Sequence, residues 1–325
     1  MTDHPEPATT GRMADDSGNL FALVPAPRPL SRIQKRLVQS AVEIDAADPD
    51  SILYQHTVFC QTGLPYRDPG KETRLWQRSQ GAAHHEVEAG RAFNPEKRAF
   101  VDVGLPFGPK PRLILAYLNA EALRTGSSII EVEDSLSAFV QRIGLCRDGR
   151  SIRAVKDQLT RLATAEIRLA LAIPGTPARQ VNAHIVSGFD LWLPKDDRQR
   201  VLWPSTVQLS HDYFESLTKH AVPLDERAIA ALSHNAMALD LYCWLAQRLH
   251  RIEGGKPIFI TWAALKGQFG WHYGRMDNFK RVFRQTLEAV RSQYQGARFS
   301  LNDRAMTLWS SPPPIKGRIA VVRKS

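Results

Sequence analysis

The chain has 325 residues, with 43 Lys and Arg against 33 Asp and Glu, a formal net charge of +10. That length accommodates two or three compact units, and the positive excess favours a polyanionic partner such as nucleic acid or an acidic membrane surface. No apolar run approaches membrane-spanning length, and the N-terminus, MTDHPEPATTGRMADDSGN, lacks the apolar stretch of a signal peptide, so a cytoplasmic protein away from membranes is expected.

Residues 1–30 are rich in Pro, Thr, Asp and Gly and read as a disordered arm with one small apolar patch, Leu20–Val24. A helix follows through about Ile44, with Ile33, Leu37 and Ile44 on one side. Its basic run, Arg28, Arg32, Lys35 and Arg36, reads as a solvated helix end rather than a phosphate contact. Between Tyr54 and Pro109, turn signals separate short runs with strand character: Ile52–Cys60, His84–Ala89 and Phe100–Leu105. This stretch, about 54–109, is expected to be a β-rich insertion. Within it, His84 and His85 are adjacent, so on a strand they face opposite sides and cannot chelate one ion together.

From Pro111 the pattern turns helical and ends at Gly126. A short strand, Ile129–Val132, precedes a helix Ser135–Ile143 capped by Asp134 and stopped by Gly144. After the turn LCRDGR comes a helix of roughly Ser151–Ala165, then strands around Ile167–Ile173 and Val181–Leu193 joined by the loop PGTPARQ. A third strand, Val201–Leu209, leads into a helix Ser210–His220. The run AIAALSHNAMALDLYCWLAQRLH, with many large apolar residues and few charges, reads as one buried helix between Leu224 and His250.

The stretch from Pro257 to Pro312 reads as strand Ile258–Thr261, helix Trp262–Phe269, a turn, a long helix Asn278–Gln295 and a two-stranded ribbon. Asp277 is placed to cap the long helix and Gly270 to take a left-handed conformation after the short one. Phe279, Val282, Phe283, Leu287 and Val290 form one apolar stripe, with Lys280, Arg281, Arg284 and Arg291 mostly off it and Arg275 in the turn before. That order is the order of a winged helix-turn-helix, whose second helix enters the major groove. The tail after Trp309 is basic through Lys316, Arg318, Arg323 and Lys324.

The same pattern occurs twice. At an offset of 126 residues, Leu113 falls on Leu239, Leu115 on Leu241, Ala120 on Ala246, Leu123 on Leu249, Ile143 on Phe269 and Gly144 on Gly270. Past the glycine the offset is 128, and Val155 meets Phe283, Leu159 meets Leu287 and Leu162 meets Val290. The basic positions also coincide: Arg147 with Arg275, Arg153 with Arg281, Lys156 with Arg284. Matched charges on the solvent side are not something core packing requires. The expectation is an α+β chain with two tandem winged-helix domains and small antiparallel β-ribbons. Its divisions are an arm at 1–30, an N-terminal winged-helix domain at 31–223, a C-terminal one at 224–311 and a basic tail at 312–325. Two such units joined in one chain address two successive major grooves of double-stranded DNA. The candidate contacts are Arg147, Arg150, Ser151, Arg153 and Lys156 on the first recognition helix, and Arg275, Asn278, Lys280, Arg281, Arg284 and Arg291 on the second. The second, Asn278–Arg291, is expected to carry the stronger base contacts.

Enzymatic chemistry has no visible support. There is no GxxxxGK[ST] loop for a nucleotide, no His-apolar-His triplet of a tyrosine-dependent nicking enzyme, and no carboxylate set for a two-metal centre. The cysteines Cys60, Cys146 and Cys243 share no ligand or disulfide spacing and read as small apolar residues. No catalytic residue, metal or cofactor is therefore expected.

The passage GRAFNPEKRAFVDVGLPFGPKPRLILAYLNAEALRTGSSIIEVEDSLSAFVQRIGL resembles the plasmid-encoded RepA replication initiators of Gram-negative bacteria. The similarity continues through LWPSTVQLSHDYFESLTKHAVPLDERAIAALSHNAMALDLYCWLAQRL to FITWAALKGQFG, and spans roughly Leu30 to Trp309. The resemblance implies tandem winged helices that bind repeated origin sequences (iterons), open the origin and recruit the host initiator and replicative helicase. It also implies autoregulation of the protein's own gene, often through a dimeric form, and recognition helices here at Arg150–Arg161 and Asn278–Arg291. A sequence-specific transcriptional repressor is the alternative that uses the same contacts.

Overall fold

In a computed structural model the described residues are 29–94, 97–131, 136–172, 179–183, 185–188, 206–253 and 255–315. The expected N-terminal arm up to residue 28, the Asp134 cap, most of the loop PGTPARQ and the tail from residue 316 lie outside them.

The chain opens with α1 (Arg32–Ala46), started by a capping box in which Ser31 and Gln34 satisfy each other's backbone N–H groups. Strand β1 (Ile52–His56) runs straight into helix α2 (Thr57–Thr62). The single strand expected over Ile52–Cys60 is thus divided. His56 takes the cap position, its Nδ1 accepting from the Val58 N–H at 3.2 Å. Val58, Phe59, Cys60 and Thr62 are all buried, a pattern without strand alternation. The β-rich insertion follows as β2 (Leu75–Gln80), β3 (Ala83–Glu88), β4 (Arg91–Asn94) and β5 (Ala99–Asp102). On β3, His84 is exposed and His85 buried, the opposite-face placement expected of neighbours on a strand.

Next come α3 (Pro109–Thr125), ended by Gly126 at φ 67°, then β6 (Ile129–Glu131), α4 (Leu136–Arg142) and α5 (Gly149–Thr164). Strands β7 (Glu166–Leu171), β8 (Arg179–Ala183), β9 (Val186–Gly188) and β10 (Thr206–Leu209) lead to α6 (His211–His220) and β11 (Ala221–Asp225). The long helix expected between Leu224 and His250 is two: α7 (Glu226–Leu232) and α8 (Ala236–Arg248). The break falls at Ser233–Asn235, where short polar side chains compete for the backbone, and the Asn235 Oδ1 caps α8 by accepting from the N–H groups of Met237 and Ala238. The remaining elements are β12 (Ile258–Thr261), α9 (Trp262–Phe269), α10 (Met276–Gln293), β13 (Phe299–Leu301) and β14 (Ala305–Leu308).

The fold is α+β, and its small sheets are antiparallel. Two of them repeat one plan. In the order β12-β14-β13, the strand before α9 pairs with the last strand, which is flanked by the one preceding it; the order β6-β10-β9 has the same logic around α4 and α5. The difference is an excursion. Strands β7 and β8, which leave α5, join β2 and β3 in a four-stranded sheet, so the insertion is completed by strands from beyond α5.

One apolar cluster, from Leu53 to Leu308, runs through both halves. Strand β1 pairs with β11, and α2 and α3 pack on α8. Across this contact the Arg112 guanidinium grips Asp240 through two bonds of 2.6 and 2.8 Å, both side chains buried, and also donates to the carbonyls of Leu64 and Gly108. A side chain at Gly63 would place its Cβ 2.4 Å from the Asp240 carboxylate, which is why that turn carries glycine. Arg142 on α4 pairs with Glu226 on α7 at 2.7 Å.

Candidate nucleic-acid interface

Helix α10 is amphipathic because Phe279, Phe283, Leu287 and Val290 recur at helical spacing, and all four are buried. Phe283 meets Trp262 at 5.6 Å and Phe269 at 6.0 Å between ring centroids, which fixes α10 against α9. The turn between the helices depends on Gly270, though not through a left-handed backbone. Its φ is −120°, and a Cβ there would lie 2.5 Å from the Phe279 ring, so the glycine supplies clearance. Asp277 is likewise not the cap of α10. The cap position is Arg275, without a side-chain cap bond, and Asp277 stands in the first turn with its carboxylate 2.6 Å from the Arg275 guanidinium. An acid at that point still favours the helix N-terminus electrostatically. The hydrogen bond from Arg275 holds its carboxyl below the usual range.

The basic residues of this helix divide by partner. Arg281 is exposed and bonded to neutral amides only, the Asn278 Oδ1 at 2.9 Å and the Gln285 Oε1 at 3.5 Å. Arg284 pairs with Asp303 in the β13–β14 turn at 3.2 Å, while the Lys280 Nζ donates to the Asp303 carbonyl at 3.1 Å. Both cations lie over the Trp262 ring, at 5.1 Å for Lys280 and 5.2 Å for Arg284. Arg291 sits over Phe299 at 4.5 Å, near Glu288. Lys280, Arg284 and Arg291 therefore hold the ribbon to the helix, leaving Arg281 and Asn278 in front with Arg275. One residue that helix spacing could not single out joins them. The Asn302 side chain accepts from the N–H groups of Arg304 and Ala305 and turns the chain so that Arg304 is exposed at the ribbon tip.

Helix α5 is built in the same way, its apolar residues aliphatic throughout. Val155, Leu159 and Leu162, the counterparts of Phe283, Leu287 and Val290, are buried. Asp148 caps it, accepting from the Ser151 N–H at 2.8 Å and the Ser151 hydroxyl at 3.2 Å, and these bonds hold its carboxyl below the usual range. Ser151 is thereby engaged in the cap. Arg147, Arg150 and Arg153 are exposed, with Lys156 half-buried. Arg161, at the far end, turns inward. It bonds the Leu105 carbonyl at 3.1 Å, pairs with Asp157 at 3.0 Å and Asp68 at 3.6 Å, and lies over Phe107.

His56 and His85 are buried, and burial pushes each imidazole down to about 3, so both are uncharged near neutrality. Among the described residues no cluster of His, Cys, Asp and Glu has the geometry of a metal site, and no helix is long and apolar enough to cross a membrane.

Residues 105–264 match the family described as plasmid encoded RepA protein. Two solved structures of domains 2 and 3 of RctB are similar in shape, one of them a selenomethionine derivative. Each has 9% sequence identity and a TM-score of 0.47. The first covers 78% of this chain and 98% of that one, the second 77% and 94%. No curated protein matches the sequence.

Proposed function

Residues 105–264 match the family of plasmid-encoded RepA proteins, and from that match we propose that the chain is a non-enzymatic plasmid replication initiator that binds repeated origin sequences through two winged helices. The observation that carries the reading is the repeated plan β6-β10-β9 and β12-β14-β13, each sheet beside a short helix and a basic amphipathic one. In such a unit the second helix lies in the major groove and the ribbon follows the backbone. On this reading Arg281 and Asn278 on α10, and Arg150 and Arg153 on α5, reach base edges from the N-terminal half of each helix. Arg147, Arg275 and Arg304 serve the flanking phosphates. Lys280, Arg284 and Arg291 act indirectly, by fixing the ribbon, and Ser151 and Lys156 support α5.

The two units are supported as one body by the buried Arg112–Asp240 pair, the β1–β11 pairing and the shared core, so the two helices are presented at a fixed separation. A rigid pair fits direct repeats spaced by whole helical turns, and the charge excess adds affinity without sequence information. Origin opening, recruitment of the host initiator and helicase, and a dimer that represses the protein's own gene belong to the same proposal through the family. Footprinting on the plasmid's own origin tests it. The expected result is protection of two successive major grooves on one face of each repeat. Protection of a single inverted repeat at a promoter, together with normal replication of the plasmid when the gene is deleted, would favour the repressor instead.

A further inference from the structure

The loop that joins α2 to β2, residues 63–74, touches both heads. Asp68 pairs with Arg161 of α5 at 3.6 Å, and the Tyr66 ring meets His272, in the turn that enters α10, at 5.4 Å. The loop is held from beneath by the same interior that joins the halves. Arg112 lies under Tyr66 at 5.3 Å and donates to the Leu64 carbonyl, and the Gly108 N–H bonds the Pro65 carbonyl at 2.9 Å. Its outer turn is closed by the Asp68 carboxylate accepting from Gly70 and by the Thr73 hydroxyl bonding the Pro69 carbonyl. Between the two anchors stands Arg67, exposed, and among the described residues no carboxylate pairs with it. The Tyr273 hydroxyl lies in the field of both Arg67 and Arg281, the open arginine of α10.

From this placement we propose that Arg67 is a third DNA contact, a backbone-phosphate anchor on a rigid bridge between the two heads. The inference rests on the DNA-binding reading above and deepens it. A duplex lying across both helices has to pass the loop anchored to α5 on one side and to the α10 turn on the other. A guanidinium carried on that loop meets the phosphates between two successive grooves. Such a contact carries charge but no sequence information. Arg67 also differs from Arg275 and Arg284, whose charges are shared with carboxylates.

The test is binding of the full chain, with Arg67→Ala and Arg67→Lys, to a duplex carrying the plasmid's origin repeats and to a random duplex of equal length, across a salt series. Arg67→Ala is expected to weaken both complexes by the same factor. It should also lower the slope of log affinity against log salt by about 0.9, so its deficit shrinks roughly 3.5-fold between about 50 and about 200 mM salt. Arg67→Lys should restore most of the slope. Unchanged affinity and slope for Arg67→Ala, while wild type binds the repeats, overturns the loop contact alone. A loss confined to the cognate duplex overturns the phosphate assignment in favour of a base contact. Failure of wild type to prefer the repeats removes the reading beneath both.

Discussion

Helices α5 and α10 occupy equivalent places in the fold, yet they spend their charge differently. On α10, Arg284 is paired with Asp303 and stacked on Trp262 beside Lys280, Arg291 lies over Phe299, and Arg275 is paired with Asp277. On α5, Arg147 and Arg153 are exposed, and among the described residues neither joins an ion pair. The two helices carry equal numbers of basic residues, four each, yet α10 leaves fewer of them open. A count of Lys and Arg measures the total charge presented to a phosphate; the partners decide how much of it can be redirected to one.

The comparison breaks most forcefully at the cores. Phe283→Ala removes a ring packed against Trp262, Phe269 and Phe279, and is expected to cost about 3–5 kcal/mol in chemical denaturation. Its counterpart Val155→Ala removes far less volume and should cost clearly less, by the same cavity argument. Equal losses would mean that the two heads are packed alike, and that the aromatic cluster under α10 adds nothing special.

Acid should separate the halves next. His56 and His85 lie on the amino-terminal side, buried and uncharged, each with its imidazole at about 3 because burial disfavours the cation. In the unfolded chain a histidine takes up its proton below about 6.5, whereas these do so only near 3. Between those values the unfolded state binds more protons, so the contribution is whole above about pH 6.5 and declines as pH falls. At about pH 5 the loss is roughly 2 kcal/mol per histidine. Urea midpoints at pH 7 and pH 5 measure it, and replacing both histidines by glutamine should flatten the dependence. The interior under α10 is built instead from Trp262, Phe269, Phe279 and Phe283, which do not titrate in this range.

Binding comes next in size. Arg281→Ala, if Arg281 reads a base, should cost about 1–3 kcal/mol on the cognate site and little on random DNA, and Arg153→Ala should behave alike on its own half of the site. Arg284→Ala should be milder and felt through the ribbon, because its partners are Asp303 and Trp262. A larger effect on specific binding from Arg284 than from Arg281 would reverse the division of labour drawn from their partners.

These contrasts also mark how far the sequence could be read. Strand Ile258–Thr261 and helix Trp262–Phe269 were legible to the residue, since an apolar run, a threonine cap and a following glycine act locally. The repeat itself was legible in the helices, because their periodicity survives a shift of offset from 126 to 128 residues at the turn between them. What needed the third dimension was every decision between neighbours and partners. Asp277 and Arg275 compete for one helix start, and nothing in their spacing says that they pair with each other. The bond from Arg284 to Asp303 spans 19 residues, and that from Arg112 to Asp240 spans 128. Strands β7 and β8 read as part of a local ribbon, yet they pair with β2 and β3, whose approach is a long-range event. Arg67 carried no signal at all, since its meaning comes from what the loop touches.

The smallest expected effect bears on the two helix starts. Asp148 caps α5 through the Ser151 N–H, so Asp148→Ala should cost about 1 kcal/mol of stability. Arg275→Ala, at a cap position without a side-chain bond, should cost next to nothing in stability. In DNA binding the order should invert. Losing Asp148 removes a negative charge beside Arg147 and Arg150 and should raise affinity on any sequence at low salt, whereas losing Arg275 removes a positive charge and should lower it. Thermal melts and binding isotherms on the same two proteins would show stability and affinity moving apart for Asp148 and only affinity moving for Arg275. If Asp148→Ala weakens binding instead, the start of α5 is not facing phosphate, and the equivalence of the two helices ends at their shape.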